Sequence, residues 1–305
     1  MKKNFIVMLL LTALMLVACK TKEKEVEIEV IPESPLEMMQ TSSNNFKKYW
    51  DAGAVDELTN EFTDDAIRVI GISQSPHIGK QEIKLSFQNE LGEGNDLEGS
   101  HIEVTTAVVR KVSPNVLIGA GTWNILNSNN ISLDNGKWGN IYEIKDGEIK
   151  FLMESAYSSK VVVKDSSSKP EIIKLNKYVG AGEENFEKIQ ESIVRYVAYY
   201  NAKDFDALSN EFTTDGIRTV SSSDTVAIGS AAIKSSLKNE TLNQLEATIV
   251  GYRDLGNSIV IAHGQWNESD PSGALLAFGQ WGNIFKIEDG QAKLLMESAG
   301  VFWSK

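Results

Sequence analysis

The chain is written twice. Asn60-Glu61-Phe62-Thr63, followed by Asp65, Ile67 and Arg68, returns as Asn210-Glu211-Phe212-Thr213 with Asp215, Ile217 and Arg218. Trp138-Gly139-Asn140-Ile141 returns as Trp281-Gly282-Asn283-Ile284. Each copy has the size of a globular domain and is far longer than a solenoid or propeller repeat, so the chain reads as two units of one fold. Pro35 to Glu90 maps without a gap onto Asn185 to Glu240, and His101 to Ala156 runs in register with Gln244 to Ala299. Between these blocks the Gly-rich tip Leu91 to Ser100 is replaced by Thr241-Leu242-Asn243. The comparison acts as a filter: what both copies keep, the shared unit needs, and what one copy lacks is dispensable to it.

Residues ahead of the first copy read as targeting. Met1-Lys2-Lys3 is a positive n-region and Phe5 to Val17 an apolar stretch too short and wrongly flanked for a spanning helix. With Leu16-Val17-Ala18-Cys19 behind it, the segment resembles a bacterial lipoprotein signal, which implies cleavage before Cys19 and a lipid on that cysteine. An ordinary secretory signal with Cys19 near the cut is the alternative. Lys20 follows the cysteine in place of the aspartate of an inner-membrane retention signal, so the resemblance implies the outer membrane if the envelope is Gram-negative. Cys19 is the only cysteine, which rules out a disulfide within the chain. The expected organisation is a signal peptide at 1–18, a charged tether at 19–34, domains at 35–157 and 185–305, and a linker at 158–184. Glu25 to Val30 alternates with a period of two and reads either as extended tether or as a short edge strand. Lys164 to Pro170 marks the solvated part of the linker.

A net charge of −12 with no basic cluster in either copy leaves nucleic-acid binding without its electrostatic footprint. In the second copy Phe186, Ile189, Ile193, Val197 and Tyr200 recur at helical spacing, and Phe205, Leu208 and Phe212 indicate a shorter helix ended by Thr213 to Gly216. A strand at Ile217 to Val220, a return strand near Thr225 to Ile228 and a third helix from Gly229-Ser230 follow. Four β-rich runs complete the copy: Glu246 to Tyr252, Ser258 to Trp266, Ala277 to Glu288 and Gln291 to Ser298. Asp289-Gly290 is a two-residue hairpin signal between the last two. This order predicts an α+β domain with about three helices on one face of a curved antiparallel sheet.

The landmarks Phe205-Asp206-Ala207-Leu208, Phe212 to Ile217, Ile228-Gly229, Ala232-Ile233, Trp281 and Asp289-Gly290 resemble the SnoaL-like branch of the nuclear transport factor 2-like superfamily. The first copy carries Asp56, Leu58, Phe62, Asp65, Ile67, Ile78-Gly79, Ile83, Trp138 and Asp146-Gly147 at the matching places. The resemblance implies two cone-shaped domains, each around a pocket. It implies pairing through the sheet, which a tandem chain achieves internally, and an activity range from isomerases, cyclases and dehydratases to binding modules without catalysis.

The filter removes the histidines, since His77 aligns with Ala227, His101 with Gln244 and His263 with Ala120. No shared His-based acid/base or metal site is expected, and no cofactor motif appears. The candidate pocket residues are those both copies keep, Arg68, Trp123, Trp138 and Asn140 in the first and Arg218, Trp266, Trp281 and Asn283 in the second, together with the aromatic pair Tyr142 and Phe285. Small residues beside Trp123 and Trp266 (Gly119, Gly121, Ala262, Gly264) leave room for a helix or a ligand. Asn140 and Asn283, amides on an apolar face, read equally as backbone pins and as ligand contacts.

Arg68 and Arg218 require carboxylate partners if buried, with Glu61/Glu211, Asp65/Asp215 and Glu154/Glu297 as candidates. Counting back from a two-residue turn pairs Asn283 with Met296 and Trp281 with Ser298, and puts Glu154 and Glu297 on the opposite, more polar face. They are the candidate general acid/base pair only if buried beside the pocket.

Two functions follow. The first is a lipid-anchored envelope binding or accessory protein, a monomer whose domains form an internal pseudo-dimer or hold a small apolar ligand. The second is an acid/base enzyme on a small apolar substrate. Carboxylates lining an open cavity beside the arginine would count against the first.

Overall fold

The computed structural model describes residues 34–160, 183–238 and 243–304. The expected signal peptide, Cys19, the tether with Glu25 to Val30, and Lys164 to Pro170 lie outside the described residues. The first copy runs α1 (Pro35–Asp51), α2 (Val55–Asn60), β1 (Phe62–Ile70), β2 (His77–Ile78), α3 (Lys80–Leu91), β3 (His101–Ser113), β4 (Val116–Leu126), β5 (Ser132–Lys145) and β6 (Glu148–Ser158). The second repeats it as α4 (Glu183–Ala202), α5 (Phe205–Ser209), β7 (Phe212–Val220), β8 (Ala227–Ile228), α6 (Ser230–Lys238), β9 (Gln244–Asp254), β10 (Ile259–Ser269), β11 (Leu275–Glu288) and β12 (Gln291–Ser304). Each is an α+β unit with a six-stranded sheet, ordered β2-β1-β6-β5-β4-β3 and β8-β7-β12-β11-β10-β9.

The sheets are mixed where the sequence predicts antiparallel ones, because β1 runs parallel to β6 and β7 to β12. The chain from β1 to β6 passes through the rest of the repeat, so no tight turn forces those two strands to oppose each other. Thr213 to Gly216, expected to end a helix, belong to β7, and α5 stops at Ser209.

Local chemistry sets the element ends. Ser34 caps α1, its hydroxyl accepting from Glu37 N–H at 3.2 Å while the Glu37 carboxylate accepts from Ser34 N–H at 2.8 Å, a capping box ahead of Pro35. Met39, Phe46 and Trp50 then recur on one face and bury themselves against the sheet. Asp146-Gly147 and Asp289-Gly290 both take positive φ at each residue (53° and 85°, 50° and 79°), as a type I′ hairpin turn requires.

The hairpins do not keep the register that the turns start. Glu288 faces Gln291 and Phe285 faces Leu294 as counted, but Ile284 faces Met296, so Leu295 is an extra residue in β12. In the first copy Tyr142 faces Phe151 and Ile141 faces Met153, leaving Leu152 extra in β6. One inserted residue reverses every side chain beyond it. Glu154 and Glu297 therefore turn onto the helix-covered face with Asn140 and Asn283, whereas Met153, Ser155, Met296 and Ser298 turn outward. This corrects the predicted placement of both glutamates, and the supposedly polar outer face proves apolar.

That outer face is the contact between the two copies. Ile67, Val69, Ile118, Ile141 and Met153 of the first sheet share one buried cluster with Ile217, Ile261, Ile284, Leu295 and Met296 of the second. The polar contacts around it are reciprocal. Arg110 Nη1 binds Asp215 Oδ2 at 2.8 Å, and its counterpart Arg253 pairs with Asp65. Lys137 Nζ donates to the Ser223 carbonyl while Gln280, at the matching position, donates to that of Ser73. Such reciprocity is the signature of an isologous interface, here within one chain.

Candidate functional site

Each copy encloses its second apolar core between the helices and the inner sheet face, and each leaves a cavity there. The inner face is built from Gly–Trp pairs across neighbouring strands: Gly121 opposite Trp138, Trp123 opposite Gly136, Gly264 opposite Trp281 and Trp266 opposite Gly279. The rings lie over the glycines so closely that a Cβ at Gly136 would stand 2.6 Å from the Trp123 ring. Each indole N–H donates to a carbonyl of the adjoining strand, Trp123 to Lys137 and Trp138 to Thr122 at 3.2 Å, Trp266 to Gln280 at 3.3 Å and Trp281 to Gln265 at 3.2 Å. The room left by the small residues is thus mostly filled by tryptophan, with Met39 of α1 over Gly119.

The bulge places an ion pair beside these rings. Arg68 stands next to Glu154 in the parallel register, Nε to Oε2 at 2.6 Å, and Arg218 next to Glu297 at 2.7 Å. Arg68 also binds the Glu90 carboxylate through both Nη atoms and Ser86 Oγ at 2.6 Å, and its guanidinium lies 4.0 Å from the Phe87 ring centre. Burial pushes the Glu154 carboxyl above the usual carboxylate range, against the opposing charge of Arg68. In the second copy the Glu297 carboxylate is held on both oxygens, Oε2 by Arg218 and Oε1 by the Tyr196 hydroxyl at 2.7 Å. Burial, with the charge of Glu297 behind it, holds the Tyr196 hydroxyl well above its ordinary range, so Tyr196 stays a neutral donor.

Of the arginine partners the sequence offers, only Glu154 and Glu297 take that role. Asp65 and Asp215 bind across the copies. Glu211 pairs with Arg195 at 3.0 Å. Glu61 has Asn45 where the second copy has Arg195, and burial pushes its carboxyl up to about 7.

Asn140 and Asn283 act as backbone pins, Oδ1 accepting from Ser155 N–H at 2.9 Å and Ser298 N–H at 3.1 Å, just beyond each bulge. Both also border the cavities. The first cavity, about 110 Å³, is lined among others by Arg68, Trp123, Trp138, Asn140, Tyr142 and Glu154. The second, about 340 Å³, is lined by Arg218, Trp266, Trp281, Asn283 and Glu297, joined by Tyr196, Tyr200 and Glu268. Phe285 does not belong with them: it is fully buried in the core of the second copy.

Sequence reasoning missed Glu90, Tyr196 and Glu268. Glu90 keeps a helical spacing of four from Ser86, and Tyr196 falls on the buried face of α4 beside Tyr200. Glu268 carries no signal, because its counterpart is Ile125 and the comparison discards residues held by one copy.

No family model and no curated protein matches the sequence. Among solved structures the chain is similar to an NTF-2 like protein of unknown function from Shewanella oneidensis MR-1, with 15% identity over 38% of this chain and 98% of that one and a TM-score of 0.34. A ketosteroid isomerase-like protein from Erwinia carotovora atroseptica is 13% identical over 39% and 98%, with a TM-score of 0.35. An NTF2-like protein with a cystatin-like fold from Novosphingobium aromaticivorans is 20% identical over 39% and 82%, with a TM-score of 0.32. These likenesses carry no argument about activity, which has to come from the site.

Proposed function

We propose that the chain is an envelope protein of two SnoaL-like domains, anchored through lipid on Cys19, whose second domain holds a small, largely apolar molecule. The observation that carries this reading is the second cavity. Its volume of about 340 Å³ falls within the range of small-molecule sites, about 300–1,000 Å³. The first, about 110 Å³, is crowded by Phe46, Trp50 and Phe151. The duplication then has a physical division of labour, in which the second copy holds the roomier cavity and the first supports it through the shared sheet face.

The arginine and glutamate of each copy do line its cavity, and that counts for the acid/base enzyme. Against catalysis stands the engagement of Glu297: a general base must take a proton from its substrate, and here each oxygen is already held by a donor, Oε2 by Arg218 and Oε1 by Tyr196. Glu154, raised by burial, is the observation that keeps the enzyme as the second reading.

Native mass spectrometry of the full chain released from membranes separates the two. One retained small molecule per chain, lost on narrowing the cavity with Ala247→Phe, is the expected result. Conversion of the retained or added molecule into a product, abolished by Glu154→Gln, would establish the enzyme instead. The anchor is checked in the same preparation, since Cys19→Ala moves a lipid-held chain into the soluble fraction.

A further inference from the structure

The two cavities occupy the same place in their repeats, so differences between them are features the fold does not require. Tyr196 replaces Phe46, Tyr200 replaces Trp50, and Glu268 replaces Ile125. At these three positions the first cavity has two aromatic rings and an alkyl chain, with the Trp50 N–H already donated to Ser100, and the second has two hydroxyls and a carboxylate.

Glu268 sits on β10 two residues beyond Trp266 and so on the same inner face. The Tyr200 hydroxyl donates to its Oε1 at 2.5 Å and the Asn243 amide to its Oε2 at 2.9 Å. These bonds aim the carboxylate but leave its charge. Among the described residues no lysine, arginine or histidine forms an ion pair with Glu268, whereas the other cavity carboxylate, Glu297, is balanced by Arg218. Among the described residues, then, Glu268 is a cavity carboxylate with no paired cation, set among the rings of Tyr196, Tyr200, Trp266 and Trp281.

Aromatic faces and a carboxylate share one preference. The ring quadrupole attracts a positive charge, most strongly when that charge is an alkylated ammonium that gives up its water easily. A neutral apolar ligand would gain from the rings alone, and an anion would be repelled by Glu268.

We propose that the second cavity binds an organic cation, a small molecule whose ammonium group lies between the aromatic wall and Glu268 and whose apolar remainder fills the cavity toward Ile193 and Leu245. The assignment rests on the second domain being a binding site and goes further in naming the class of molecule. The volume suits it, being more than twice that of an engineered pocket of about 150 Å³ that takes up benzene.

Acetylcholine and its carbon isostere 3,3-dimethylbutyl acetate, equal in shape and different in charge, test it by calorimetry on the full chain. Acetylcholine is expected to bind at least tenfold more tightly than the isostere. Glu268→Gln should reduce that preference at least fivefold while leaving the isostere's affinity unchanged, which also shows that the variant is folded. Equal or stronger binding of the isostere, or a preference that survives Glu268→Gln, overturns the cation assignment while the binding reading stands. Absence of binding by both probes overturns the cation assignment; if native mass spectrometry also finds no retained molecule, the binding reading falls with it.

Discussion

His263 shows what a residue held by one copy can reveal. It lies on the outer face of β10, 3% exposed, at the position of Ala120, and among the described residues its Nδ1 has no hydrogen-bond partner. Comparison of the copies excludes it from a shared site; in the structure it is a core histidine. Desolvation alone lowers its pKa to about 4. In the unfolded chain it takes up a proton near pH 6.5, in the folded chain only near 4, so stability is full above about 6.5 and falls as pH drops toward 4. The loss is on the order of 3 kcal/mol at about 1.4 kcal/mol per pH unit. Urea titrations between pH 7 and 5 should differ in slope between wild type and His263→Ala by this amount, because the opposite contribution of the raised Glu61 carboxyl is common to both; equal slopes would remove this account. Arg68 and Arg218 were legible as buried cations needing carboxylates because arginine is seldom buried unpaired. Which carboxylate each takes was not, because that depends on register.

At the scale of elements, the helices, the hairpin turns and the order of strands follow from local signals. The bulges do not. Leu152 and Leu295 look like any other apolar strand residue, and nothing nearby marks them as extra. What stabilises the insertion lies on another strand, where Asn140 and Asn283 accept the backbone N–H of Ser155 and Ser298. Both serines are fully buried, so removing the acceptor strands a donor away from water. Asn140→Ala or Asn283→Ala should each cost about 1–3 kcal/mol by chemical denaturation. A cost below about 0.5 kcal/mol, the level of an ordinary surface substitution, would show that the bulge holds without its pin.

For the whole molecule, the two copies cover each other's outer sheet faces, and the described residues from Ser34 onward fall in one compact unit. A separate subunit would need that same face to dimerise through the sheet. We therefore expect the fragment beginning after Cys19 to be monomeric by light scattering, and a dimer as the only species would contradict this. Gly139 and Gly282 show how close the approach is: a Cβ on Gly139 would stand 2.6 Å from the Thr219 side chain, and one on Gly282 would meet Ser155. The glycine in both Trp-Gly-Asn-Ile motifs is thus kept for contact between the copies as well as for the strand it occupies.

The sequence by itself determined the duplication, the α+β class, the hairpin turns and the set of aromatic, amide and arginine residues on the inner face. These rest on periodicity and turn chemistry, which act over a few residues, and on comparison of one copy with the other. Only the tertiary structure decided which face Glu154 and Glu297 occupy, which carboxylate each arginine binds, and that one cavity is three times the other. Those outcomes depend on a single inserted residue per hairpin and on packing between strands and helices far apart in the chain. The duplication that exposed the fold also hid Glu268, because a comparison that keeps only what is shared is blind to what one copy gained.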